Sequence, residues 1–295
     1  MSRARSARCV HTAQLADGPL KSSHMTRPGD RKRSRAARRA VSLPPPRPDW
    51  AYFFDIDGTL VDLADSPAGA RLHPDLWQLI GGLYRSAGGA VAFISGRSIA
   101  DIDTLLPGIH LPVAGQHGIE RRDASGGISR HAFPARRLDG VRARLAAAVA
   151  QHRGLLLEDK GLSLALHYRR APRLAGYAHR LVRSLLAGFG TQYCVQTGKR
   201  VVEMKPAGKD KGVAVLEFMQ EDPFRGRTPV FVGDDITDEH GFATVNRLHG
   251  HSVKVGPGRT VARWRLRDVR AVRAWLARVL ATPSRGGGRH VETTP

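Results

Sequence analysis

The sequence predicts an α/β protein, a Rossmann-like doubly wound parallel sheet core with a smaller α/β cap domain inserted into it. Three observations predict this. Between residues 50 and 114, short apolar runs alternate with stretches of helical periodicity, the pattern of a parallel sheet wound with helices. Over 131–198 the pattern becomes helix–hairpin, helix–hairpin, which suits a small domain with an antiparallel sheet. Strand–helix alternation then resumes at Lys211. The expected organisation is a tail over 1–47, core over 48–130, cap over 131–198, core again over 199–282 and a disordered tail over 283–295.

Residues 1–47 hold twelve Arg/Lys against Asp17 and Asp30, about half of the net charge of +21, with Pro44-Pro45-Pro46 and no apolar periodicity. They are expected to form a disordered basic tail. Met25 is a second candidate for the translation start, and the Arg-rich, acid-poor composition also matches a transit peptide. The tail has no zinc pattern, helix-turn-helix or interleaved aromatics, so nucleic acid is not an expected partner. Cys9 and Cys194 are the only cysteines, too few for a disulfide framework, which points to a reducing compartment. No apolar run reaches membrane-spanning length, so no membrane is expected as a partner and the expected location is cytoplasmic.

The first core strand runs Phe53-Phe54 straight into Asp55-Ile56-Asp57-Gly58-Thr59-Leu60. It delivers two carboxylates at its C-terminal end, the edge where open α/β sheets bind ligands. A calcium loop would need further oxygen ligands downstream, and Leu60, Val61 and Leu63 supply none. A helix over 74–86 follows, with Leu76, Leu79, Ile80 and Leu83 on one face and Gly88-Gly89 ending it. A strand over 90–94 leads into Ser95-Gly96-Arg97-Ser98, which opens a helix through Ile102 and Leu105. A strand over 111–114 leads into Gly115-Gln116-His117-Gly118.

In the cap region, Leu138, Val141, Leu145 and Val149 mark a helix, followed by strands over 155–158 and 162–168 about Lys160-Gly161. Leu174, Ala178, Leu181 and Leu185 mark a second helix, and strands over 192–196 and 201–204 flank Gly198. The core resumes with a helix over 211–220, a strand over 229–232 ending in Gly233-Asp234-Asp235, a strand over 252–255 and a last helix carrying Val269, Val272, Trp275, Leu276 and Val279.

Four constellations fit one reaction. Of Asp55 and Asp57, one can attack phosphorus while its neighbour moves the proton. Ser95, with backbone amides at a helix N-terminus, suits phosphoryl oxygens, although alone it reads first as a helix cap. Lys205-Pro206 and Lys209-Asp210-Lys211-Gly212 could place an ammonium against phosphate, or be a solvated turn. Asp234 and Asp235 can bind Mg2+, or simply favour a helix N-terminus. Lysines are scarce, and five of eight fall within 160–211, a clustering that hints at selected point charges.

In this order the motifs resemble the haloacid dehalogenase superfamily of phosphatases. They stand here as Asp55-Ile56-Asp57-Gly58-Thr59, Ser95-Gly96-Arg97, Lys211 and Gly233-Asp234-Asp235. Within it the chain is similar to the trehalose-6-phosphate phosphatase family, from about Asp49 to Leu280. That narrower likeness rests on Gly115-Gln116-His117-Gly118 with Glu120-Arg121-Arg122, Glu158-Asp159-Lys160-Gly161, Leu166-His167-Tyr168-Arg169, Gly198-Lys199, Val202-Glu203-Met204-Lys205-Pro206 and Ile236-Thr237-Asp238-Glu239 with Phe242.

The resemblance implies Asp55 as nucleophile and Asp57 as general acid/base, with Ser95 and Lys211 holding the phosphoryl group. It implies Mg2+ between Asp55, the Asp57 carbonyl and Asp234, with Asp235 and Asp238 as outer or water-mediated ligands. Glu158, Lys160, His167 and Glu203 would read the sugar hydroxyls from the cap, while Gly96, Arg97, Gln116, His117 and Gly118 would line the site from the core. For His117 and His167 a purely structural role stays open, and Glu158 with Lys160 could be a surface pair. The implied substrate is a small-molecule sugar phosphate, trehalose 6-phosphate, at the last step of trehalose formation. A related capped phosphatase for another sugar phosphate is the alternative, and a functional link to a trehalose-6-phosphate synthase is left open.

Overall fold

The computed structural model describes residues 43–62, 75–108, 110–131 and 138–280. Its larger sheet has eight strands: β1 (Trp50–Phe54), β2 (Val91–Ile94), β3 (Val113–Gly115), β4 (Glu120–Arg122), β5 (Ile128–Arg130), β10 (Thr228–Gly233), β11 (His251–Val255) and β12 (Trp264–Leu266). The spatial order is β12-β11-β10-β1-β2-β3-β4-β5. The first six in that order run parallel, and β4 and β5 add an antiparallel hairpin at one edge.

All five residues of β1 are buried, as expected for a central parallel strand covered on both faces. Its two faces meet different helices. Tyr52 packs against Trp275 of α7 (Val269–Leu280), and Phe53 against Phe218 of α5 (Lys211–Phe218). The register sets Phe54 opposite Val232 on one side and Phe93 on the other. The residues that follow each strand, Asp55, Asp234 and Ser95, therefore emerge side by side at the C-terminal edge.

The cap is built from α3 (Asp139–Gln151), β6 (Leu156–Asp159), β7 (Leu164–His167), α4 (Ala175–Leu186), β8 (Tyr193–Gly198) and β9 (Val201–Pro206). Its sheet is antiparallel in the order β6-β7-β9-β8. The two helix–hairpin halves join through β7 and β9, over their own cluster of Leu145, Leu164, Leu166, Val182, Val202 and Met204.

The structure shifts two boundaries. Strand β9 pairs with both β7 and β8, so the small sheet runs on to Pro206, past the expected end at 198. Cutting at 198 would split a hairpin and strand its backbone donors and acceptors. At the other end, Leu43 is buried, Pro44 accepts a hydrogen bond from Trp275 Nε1 at 2.8 Å, and Arg47 N donates to Tyr52 Oη at 2.6 Å. Residues 43–47 thus belong to the core, while the rest of the expected basic tail and the expected tail over 283–295 lie outside the described residues. Strands β4, β5 and β12 were not anticipated. Each is three residues long, and β5 is exposed throughout, so they carry little alternating apolar signal. Among the described residues no helix is long and apolar enough to cross a membrane.

Candidate active site

The site opens where β1 ends. Asp55 is buried, and its Oδ1 accepts from Lys211 Nζ at 2.8 Å. The same ammonium donates to Asp238 Oδ1 at 2.6 Å. Lys211 is the first residue of α5, whose N-terminus is fixed by Asp210 accepting from Gly212 N and Val213 N. That cap explains why Lys211 points inward rather than into solvent, as an uncapped lysine-rich turn would. Burial opposes the Lys211 charge, but Asp238 and Asp55 overcome it and hold the ammonium protonated well above the usual lysine range.

Asp55, Asp234 and Asp238 are all buried and bring carboxylate oxygens within 4.8 Å of one another. Burial raises Asp55 above the ordinary carboxylate range, against the pull of Lys211, and Asp238 and Asp234 add to the rise. Asp234 is raised for the same first reason, then by Asp238, with Lys199 opposing. Lys199, on the turn between β8 and β9, reaches over from the cap to place Nζ 2.5 Å from Asp234 Oδ2. Asp234 Oδ1 is buried without a hydrogen-bond partner. A crowded set of hard oxygen donors, one of them unpartnered, fits a divalent cation such as Mg2+. Asp57 and Asp235 stand outside this carboxylate cluster, whereas Asp238, expected as an outer ligand, lies within it.

Asp57 instead faces Arg97, whose Nε and Nη2 fork onto its two oxygens at 2.7 and 2.6 Å. Ser95 is buried, and its Oγ accepts from Arg97 N at 3.2 Å. It does not cap the following helix. That helix, α2 (Ile99–Leu105), is capped by Ser98, which accepts from Asp101 N, so Ser95 sits in a loop ahead of the helix terminus. Gln116 N and His117 N donate to the Arg97 and Ser95 carbonyls at 2.8 Å each. Both residues adopt positive φ, 47° and 59°, an uncommon conformation held here by those bonds.

The cap presents a row of residues across its sheet. Glu158 pairs with Ala165, Ala165 with Glu203, and Glu203 with Gln196, so all four share one face. The opposite face carries Leu164, Leu166, Val202 and Met204 into the cap core. Small Ala165 leaves room between the polar ends. Glu158 Oε2 meets His167 Nε2 at 2.7 Å, and Glu203 Oε1 accepts from Ser163 Oγ at 2.6 Å. Lys160 Nζ lies 3.5 Å from Glu203 Oε1 and donates to the Gly96 carbonyl of the core at 2.9 Å. Burial disfavours the Lys160 charge, but Glu203 and Glu158 outweigh it and raise its pKa.

Burial likewise opposes ionisation of Glu203, yet Lys160 and hydrogen bonds from His117 and Ser163 hold it below the carboxylate range. His117, buried, is lowered to about 4 by burial despite Glu203 at 3.4 Å. It is neutral near pH 7, so Lys160 rather than His117 is the cation that keeps Glu203 ionised. The sign for stability follows. A histidine lowered from 6.5 to about 4 contributes fully above pH 6.5, and that contribution fades as pH falls toward 4, by on the order of 3 kcal/mol. Unfolding midpoints measured against pH are expected to show this fall, and His117→Asn to flatten it. An unchanged slope in the variant would remove His117 from the account.

A single cavity unites the two halves. Asp55, Asp57, Ser95, Gly96, Arg97, His117, Lys211, Asp234 and Asp235 line it from the core, and Glu158, Lys160, His167 and Glu203 from the cap. Gln116, Gly118 and Asp238 stand behind its wall; Gln116 donates to the Lys160 carbonyl at 2.9 Å. Arg169, Gln196 and Lys199, which carry no expected site role, also line it. Gln196 meets His117 Nε2 at 2.7 Å. Lysine clustering marks Lys199 in the sequence, whereas Gln196 in a half-apolar strand carries no such signal.

The sequence matches the profile of the Trehalose-phosphatase family over residues 53–269. It is 44% identical to the trehalose-6-phosphate phosphatase of Escherichia coli K12 over 227 residues, covering 77% of this chain and 85% of that one. It is 43% identical to a probable trehalose-phosphate phosphatase of Sinorhizobium fredii over 209 residues, covering 71% and 78%. The fold is similar to the C-terminal domain of a C. albicans trehalose-6-phosphate phosphatase, with a TM-score of 0.72 at 22% identity, covering 80% of this chain and 93% of that one.

Proposed function

The chain belongs to the trehalose-phosphatase family, and from that premise we propose that it hydrolyses trehalose 6-phosphate to trehalose and phosphate, with Mg2+, through an aspartyl-phosphate intermediate. The observation that carries this reading is the shared cavity, in which the Asp55–Lys211 pair faces the Glu158–Lys160–Glu203 row of the cap. Phosphoryl transfer needs little covalent chemistry from a protein and much positioning and charge stabilisation.

In the first step a carboxylate oxygen of Asp55 forms a bond to phosphorus as the bond from phosphorus to the sugar oxygen breaks. Asp57 gives its proton to that departing oxygen. In the second step Asp57 takes a proton from water, whose oxygen bonds to phosphorus as the aspartyl bond breaks. Arg97 holds both Asp57 oxygens in the structure, so one contact must open for Asp57 to act. Lys211 opposes the rise that burial gives the Asp55 pKa and so favours its ionised, attacking form, and Ser95 Oγ, at the cavity wall, can donate to a phosphoryl oxygen. Asp55 and Asp234 would hold Mg2+, which when bound neutralises charge on the phosphoryl group. Glu158, Lys160, His167 and Glu203 would bind sugar hydroxyls and exclude water from the leaving-group step.

Phosphate release from trehalose 6-phosphate, with and without Mg2+, beside glucose 6-phosphate and sucrose 6-phosphate, tests the assignment. Preference for trehalose 6-phosphate that is lost on chelation is expected. Release from another sugar phosphate only would leave the core chemistry and overturn the reading of the cap.

Gly58 offers a second test. Its φ is +83°, and a Cβ there would fall 2.4 Å from Asp234 Oδ2. Gly58→Ala is expected to push the Asp234 carboxylate aside and lower kcat about 100-fold, the scale of a 1 Å misplacement. Wild-type turnover in this variant would mean that Asp234 tolerates displacement.

A further inference from the structure

Lys254 is a buried lysine that the mechanism above does not use. It lies in β11, between buried Val253 and Val255, opposite Gly233 of β10. Its Nζ donates to the backbone carbonyl of Asp234. The N–H of that same peptide unit, from Asp235, donates to Asp238 Oδ2 at 2.7 Å. The 234–235 peptide plane is thus held from both sides, its oxygen by Lys254 and its hydrogen by Asp238.

A buried ammonium carries a large desolvation penalty. An apolar side chain of similar length would suit a strand of this kind better, so stability alone does not explain a lysine here. What the lysine does secure is the orientation of the peptide that carries Asp234. Asp238 is itself fixed, because its other oxygen accepts from Lys211. Lys211, Asp238, the 234–235 peptide and Lys254 therefore form one continuous hydrogen-bonded chain from the Asp55 carboxylate to the core of β11.

We propose that Lys254 is a positioning residue which, with Asp238, locks the 234–235 peptide plane and so aims the Asp234 carboxylate at the cation site. The proposal rests on the phosphatase reading and on Mg2+ binding between Asp55 and Asp234. Groups that orient ligands from behind commonly matter about 10- to 100-fold in metal affinity or activity.

The test is calorimetric titration of the full chain with Mg2+ alone, for wild type, Lys254→Met and Lys254→Arg, with thermal unfolding of each in chelator. Lys254→Met is expected to weaken Mg2+ binding at least about tenfold while its metal-free melting temperature stays level or rises. Lys254→Arg, which keeps a cationic donor, is expected to recover most of the affinity. A Met variant that binds Mg2+ as wild type does, or one that melts lower or fails to fold, overturns the proposal. An Arg variant as weak as Met also overturns it. Wild type that binds no Mg2+ sinks the Mg2+ reading and this proposal together, whereas wild-type binding with an indifferent Met variant removes only the role of Lys254.

Discussion

Asp55→Asn is expected to abolish phosphate release, with kcat falling on the order of 10^4- to 10^6-fold, the range seen when a nucleophile or its activating partner is lost. The amide is isosteric with the carboxylate but cannot attack phosphorus. The same substitution is expected to leave the fold intact and, in chelator, to raise the melting temperature. Asp55 is one of three buried carboxylates within 4.8 Å of one another, and removing its charge relieves a repulsion that Lys211 and Lys199 offset in part. Activity and metal-free stability should therefore move in opposite directions. A variant that keeps more than a trace of turnover would falsify the covalent assignment, and one that melts lower in chelator would overturn the electrostatic account.

Lys211→Met is expected to damage activity and stability together. Lys211 is buried against two buried carboxylates, Asp55 at 2.8 Å and Asp238 at 2.6 Å. Removing one partner of such a group leaves uncompensated charge, at a cost of about 3–5 kcal/mol. For a chain of this size that lowers the melting temperature by roughly 6–20 °C. The pH dependence has a defined sign. Asp55 and Asp234 are already raised by burial, and loss of the ammonium raises Asp55 further, so the variant should be closest to wild type near pH 5 and lose ground as pH rises. Added Mg2+ should restore part of the stability but little of the turnover, because the charge that steadies the phosphoryl group is gone. Equal melting curves for variant and wild type across pH 5–8 would mean that Lys211 is not the counter-charge described.

The same residues mark how far local pattern carries. Asp55 and Asp57 are legible because an apolar run ending in two carboxylates has few other uses. Asp234 and Asp235 are legible for the same reason on β10. The polar face of the cap follows from strict alternation, as Glu158 and Glu203 oppose Leu157 and Val202 in their strands. Ser95 and Ser98 show where pattern stops. By itself Ser95 reads first as a helix cap, and only the geometry of the loop assigns the cap to Ser98 and turns Ser95 toward the cavity. Lys254 falls in the expected strand over 252–255, where a lone lysine between valines is itself a signal.

By itself the sequence determined the periodicities, and hence the parallel core, the inserted antiparallel sheet and the strand ends that deliver carboxylates. These are properties of neighbours along the chain, set by side-chain spacing and turn chemistry. Only the tertiary structure decided which distant groups meet. Lys211 lies 156 residues from Asp55, Lys199 lies 35 from Asp234, and Lys160 lies 64 from the Gly96 carbonyl it holds. Strand order, the register of β10 against β11 and the seating of the cap on the core make those meetings, because a buried charge is stable only where packing brings a counter-charge or a polar partner within hydrogen-bonding reach.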